Sequence, residues 1–82
     1  MRNYIEILDD IESILNQNNY LEESKMLVMN VRAGFSQWEI LGLTTDYLIE
    51  IESGNPSIKV LIDQLISELL LYCNYIGMKI IR

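Results

Sequence analysis

Apolar positions at the start of the chain recur with the period of a helix. With successive residues placed about 100° apart, Tyr4, Ile7, Leu8, Ile11, Ile14 and Leu15 share one arc, and Glu6, Asp9, Asp10, Ser13 and Gln17 share the opposite one. This predicts an amphipathic helix with an acidic outer face, running from just after Asn3 to about Asn16. Asn3 is placed to cap it, with Glu6 three positions on to complete a capping box. The polar stretch Asn16-Gln17-Asn18-Asn19 breaks the pattern, and Asn19 with Glu22 repeats the cap arrangement for a second helix ending near Ala33. Leu21, Met26, Leu27, Val28, Met29 and Val31 are spread around that axis, so no single buried face is predicted. Gly34 follows in the place of a left-handed terminator, with Phe35 expected to fold back on the last turn.

Ser36, Glu39, Phe35 and Ile40 together form the strongest local signal. Ser36 reads as a cap, Glu39 completes its box, and Phe35 stands where it would staple onto Ile40. A third helix should run from there to Ser53, with Gly54 as terminator, and bury Ile40, Leu41, Tyr47, Leu48 and Ile51. Asn55 then caps a fourth helix with Pro56 at its first position. Ile58, Ile62, Leu65, Leu69, Tyr72 and Ile76 follow the four-three spacing of a bundle seam. Leu61, Ile66, Leu70, Leu71 and Cys73 widen its apolar arc, so this helix should sit between others or contribute to a subunit contact. Gly77 ends it, and residues 78–82 fit either an extended segment or a packed end. The expected fold is a single all-α domain over residues 1–82, a small bundle of about four helices.

Composition narrows the function. The 82 residues include no His and one Cys, so the usual base for serine or cysteine catalysis is missing. The glycines are scattered rather than clustered for a phosphate cradle, and no calcium-loop or Glu-x-x-His pattern is present. The expectation is a binding protein rather than an enzyme, with no cofactor or metal. Six basic residues against twelve acidic ones give a net charge of −6, which repels nucleic acid and anionic lipid and attracts cationic surfaces. Acids at 6, 9, 10 and 12 interrupt the place where a signal peptide needs an apolar stretch. The uncharged run 69–78 falls far short of the ~20 residues that span a bilayer. A cytoplasmic protein without membrane association is expected, and Cys73, lying in an apolar run, reads as a small buried hydrophobe.

The charge is also unevenly placed. Residues 1–52 hold ten acids against Arg2, Lys25 and Arg32, a net of −7, whereas residues 53–82 sum to +1. On the third helix Glu39, Asp46 and Glu50 fall in one narrow stripe, flanked by Leu43 on one edge and by Trp38 and Ile49 on the other. These residues, with Asp9 and Asp10 of the first helix, are the candidate partner-binding set: the acids for electrostatic docking, Trp38 and Ile49 for apolar anchoring.

Two families share patterns with this chain. Gly34-Phe35-Ser36-Gln37, Leu41-Gly42-Leu43-Thr44 and Ile51-Glu52-Ser53-Gly54 with Pro56-Ser57 resemble helix-turn-helix repressors of the Cro and lambda repressor type. The spacing departs from that family, because the stretch between Gln37 and Gly42 is too short for the first helix of the motif. Its DNA-facing segment would carry Asp46, Glu50 and Glu52 and no basic residue, which opposes phosphate binding. Val31-Arg32-Ala33-Gly34, Trp38-Glu39-Ile40-Leu41, Asp46-Tyr47-Leu48-Ile49-Glu50 and Asp63-Gln64-Leu65 are similar to a pattern in the small acidic immunity proteins of contact-dependent growth-inhibition and Maf-type toxin systems. That resemblance implies a cytoplasmic inhibitor that protects its producer by binding one toxin domain, often a nuclease; the charge pattern adds that an acidic face would be steered to a basic nuclease cleft and would occlude it. The alternatives are a degenerate helix-turn-helix regulator and a homo-oligomeric structural or adaptor subunit built on the wide apolar arc of the fourth helix.

Overall fold

A computed structural model describes residues 1–82. Four helices follow one another without strands: α1 (Tyr4–Gln17), α2 (Leu21–Ala33), α3 (Gln37–Gly54) and α4 (Pro56–Tyr75). Connections of one to three residues leave no room for a crossover, so neighbours run antiparallel. The Tyr4 and Tyr72 rings, with centroids 5.5 Å apart, bring the start of α1 to the end of α4. Tyr72 Oη donates to Gln37 Oε1 and brings the start of α3 to the same end. α1 packs on α2 and α4, and α3 packs on the same two, so α1 and α3 occupy opposite corners. The longest dimension, 33 Å, is set by the 20-residue α4.

Ile7, Leu8, Ile11 and Leu15 of α1 meet Leu27 of α2, Leu41 and Leu48 of α3, and Ile58, Ile62, Ile66, Leu69 and Cys73 of α4. α4 is the core helix that its pattern predicts: it packs between α1 and α3 and supplies five of the thirteen buried core residues, more than any other helix. Its buried row is turned toward Ile66 and Cys73, away from the Leu65 and Tyr72 seam positions, because it faces both α1 and α3. The buried face of α3 also departs from the apolar pattern. Leu41 and Leu48 are buried as expected, but Ile40, Tyr47 and Ile51 are half-buried, while Thr44 and Thr45 are fully enclosed. Both threonine hydroxyls donate to carbonyls a turn back, Thr44 to Ile40 at 2.7 Å and Thr45 to Leu41, which removes the cost of burying them.

The caps hold in part. Asn3 Oδ1 accepts from Ile5 N, Ser36 Oγ from Glu39 N, and Asn55 Oδ1 from Ser57 N and Ile58 N. Asn19 does not cap α2. It adopts φ 65° and closes α1, where Tyr20 N donates to Leu15 O and Asn19 N to Asn16 O, the paired bonds of a left-handed helix stop. Gly77, at φ 88°, ends α4 the same way, with Met78 N donating to Cys73 O.

Gly34 is not left-handed. At φ −85° and ψ 140° it is extended and lies against the first turn of α3, where a Cβ would fall 2.6 Å from Ile40 Cγ1 and 2.8 Å from Ile40 N. Glycine is required there by close approach rather than by its dihedrals. Because Gly34 itself occupies the surface of Ile40, the Phe35 staple is not formed and Phe35 is 95% exposed.

The chain after Gly77 is a packed end. Met78 is buried, Ile80 packs on the core, and Arg82 reaches Glu52 of α3 and Asp63 and Ser67 of α4. The tail therefore lies along the groove between α3 and α4, held at its far end by a guanidinium. No helix is long and apolar enough to cross a membrane.

Candidate partner-binding face

Four carboxylates are occupied within the molecule. Arg2 holds Glu68 through Nε and Nη2, at 2.8 and 2.9 Å, and also contacts Asp10. Arg82 holds Glu52 in the same two-pronged manner at 2.8 and 2.9 Å and also contacts Asp63. Hydrogen bonding to Glu68 and Asp10 raises the Arg2 guanidinium above its already high range, and Arg2 in turn holds the Glu68 carboxyl below the usual range. Bonding to Glu52 raises Arg82 likewise. Glu52 is only 5% exposed, so its charge is accommodated by this pairing.

The pairs consume both acids of α4, Asp63 and Glu68, but only Asp10 and Glu52 of the first three helices. Glu6, Asp9, Glu12, Glu22, Glu23, Glu39, Asp46 and Glu50 make no salt bridge. The unequal charge along the sequence is thereby sharpened in three dimensions, since every unpaired acid lies on α1, α2 or α3.

Those acids do not share one face. Asp9 and Asp10 stand on α1, at the corner opposite α3; Asp9 borders the α1–α2 groove beside Glu12 and Arg32, and Asp10 is taken by Arg2. The structure therefore separates them from the α3 stripe. Glu39, Asp46 and Glu50 are all exposed on the outer side of α3, and Ile49 is half-buried beside them. Glu50 lies toward α2, where burial, and then Glu23, Glu22 and Glu50 in turn, push the Tyr47 phenol upward.

Trp38 is 54% exposed. It borders an open surface groove of about 500 Å³, lined on the α3 side by Trp38, Glu39, Gly42, Leu43 and Asp46. The opposite wall is the tail, through Met78, Lys79 and Ile80. Lys79 forms no ion pair with Glu39 or Asp46, so both carboxylates are free to take a cation from outside. The tail wall and Gly42 were not among the candidate residues. Gly42 lies inside a helix, where glycine costs roughly 0.5–1 kcal/mol relative to alanine. Beyond its chain neighbours and its own helix backbone, no atom lies within 4 Å of where its Cβ would be. Packing does not require it; what it does is leave the floor of the groove open.

No group of three or more acidic or cysteine side chains converges in a way that could hold a metal ion. Cys73 is buried, and burial pushes its thiol upward, away from the reactive thiolate. α3 is continuous through Gly42, where a helix-turn-helix motif would turn, so no separate recognition helix is presented. No protein-family model, curated protein or solved structure matches the chain.

Proposed function

We propose that this protein is an immunity protein, which neutralises a basic bacterial toxin domain, in the first instance a nuclease, by covering its active-site cleft with the outer face of α3. One observation carries the reading: the exposed acids of α3 are left without internal partners beside a half-exposed tryptophan, while the acids of α4 are all paired. A nuclease cleft is cationic because it binds phosphate, so unpaired carboxylates steer the two proteins together, and a large aromatic anchor slows their separation. Glu39, Asp46 and Glu50 supply the steering and Trp38 and Ile49 the apolar contact. Asp9 and Asp10 contribute only to the long-range field, given their place on α1. Inhibition by occlusion is stoichiometric and uses no chemistry of its own, in keeping with the residue types present. The protein is proposed to act in the cytoplasm of the toxin's producer.

The test is co-expression with a panel of basic bacterial nuclease toxin domains. Protection by the wild type, with loss of protection in Asp46→Lys/Glu50→Lys at unchanged expression and melting temperature, supports the reading. Equal protection by both moves the interface elsewhere, and a gel shift of duplex DNA by the protein alone would replace the reading with the regulator. For the homo-oligomer alternative, sedimentation of the free protein is decisive: the exposed Val60, Leu71 and Tyr75 of α4 would then be covered by a second copy.

A further inference from the structure

The groove beside Trp38 brings together an indole, a bare glycine backbone and two carboxylates without salt bridges. Trp38, Gly42 and Asp46 succeed each other at four-residue intervals and so form one row along α3. All three line the same groove, so Asp46 and Trp38 border it on either side of the bare backbone of Gly42. The result is a slot with a carboxylate and an indole along one row of α3, a glycine between them in that row, and Leu43 beside it. Glu39 flanks it, and Met78 and Ile80 of the tail close its far side.

We propose that this slot receives an arginine side chain of the basic partner, an inference that rests on the proposed function and specifies how α3 grips its target. The guanidinium bonds the Asp46 carboxylate, and its aliphatic stem crosses Gly42 between Trp38 and Ile80. Charge complementarity names the occupant: the two carboxylates on the α3 wall are unpaired, and the row between them is apolar. Arginine fits better than lysine because its planar head stacks on an indole, pairs with a carboxylate through two N–H groups and sheds water more readily. Lys79, on the tail wall, is the one basic group bordering the slot, and it opposes the incoming charge.

Trp38 is the only tryptophan, so its indole N–H resonance and emission report on the slot directly. The probe is N-acetylarginine amide, titrated into the full chain at matched chloride and compared with the lysine and norleucine analogues. Saturable shifts at Trp38 and Gly42 are expected, with arginine binding tighter than lysine and norleucine weakest. Asp46→Asn and Gly42→Leu should each weaken binding about fivefold, and Lys79→Ala should tighten it about twofold. Gly42→Leu should also raise the melting temperature, so lost binding cannot be ascribed to lost structure. Glu22→Gln/Glu23→Gln on α2 should leave binding unchanged. Equal binding by wild type and Gly42→Leu, a norleucine analogue as good as arginine, or equal loss in the α2 control would each overturn the proposal. So would a dimer that Gly42→Leu abolishes, because the slot would then belong to a second copy. If the slot fails while Asp46→Lys/Glu50→Lys still abolishes protection, the arginine proposal falls and the immunity reading stands.

Discussion

α4 and the outer face of α3 use acidic residues in opposite ways. On α4, Asp63 and Glu68 each meet an arginine from a flanking segment, and the two pairs tie the beginning and end of the chain to the central helix. On α3, Glu39, Asp46 and Glu50 are exposed and form no salt bridge, although Lys79 borders the groove beside Glu39 and Asp46, and only the buried Glu52 is paired. The first arrangement holds the fold together. The second adds like charge to a chain already at −6 and gains the fold nothing, which leaves those carboxylates, like the unpaired acids of α1 and α2, open to a cationic partner.

The comparison is broken most forcefully in the core. Leu69→Ala on α4 removes a fully buried side chain and should cost about 2–5 kcal/mol in urea unfolding, whereas Leu43→Ala on the outer side of α3 should cost less than about 1 kcal/mol. Similar losses at the two sites would deny that α4 is the central helix.

The next largest effect concerns the tail. Arg82→Ala strands the buried Glu52 carboxylate and should destabilise the protein by about 2 kcal/mol. Adding Glu52→Gln should restore part of that loss, because a neutral amide is cheaper to bury than an unpaired charge. If the double variant is no more stable than Arg82→Ala, the pair is not what fastens the tail.

The Arg2 pair should appear in pH dependence. Because Arg2 lowers the Glu68 carboxyl from its ordinary 4.5, the folded chain binds fewer protons there than the unfolded chain. The stability from this pair is therefore complete at neutral pH and is lost as the pH falls below 4.5 and through the lowered value. Melting temperatures should fall on acidification less steeply in Arg2→Ala than in the wild type, and identical profiles would show that the pair contributes nothing. Phe35→Ala should have the smallest effect, below about 0.5 kcal/mol by urea unfolding, since Phe35 touches almost nothing. A larger loss would restore the staple on Ile40.

Local patterns carried the helices and the central role of α4, because period and cap chemistry act over a few residues. They failed where distant segments meet. Gly34 reads as a terminator in a local window, yet its need for glycine comes from Ile40 on the next helix. Thr44 and Thr45 are not in the apolar arc expected for α3, and their burial depends on hydroxyls that are satisfied within the helix. The acidic stripe and Trp38 were legible because they lie on one helix. The assignment of Asp10 to Arg2, the separation of α1 from α3 and the tail wall of the slot all depend on tertiary placement, which helical periodicity does not encode.

The most direct test is the association rate of this protein with a toxin domain that it neutralises on co-expression, followed by stopped-flow Trp38 fluorescence at low and high salt. Asp46→Lys/Glu50→Lys should slow association about tenfold or more at low salt and flatten its salt dependence, while Asp9→Lys should have a much smaller effect. A charge reversal on α3 that leaves the association rate unchanged, or an equal slowing from α1, would contradict the claim that the outer face of α3 is the docking surface.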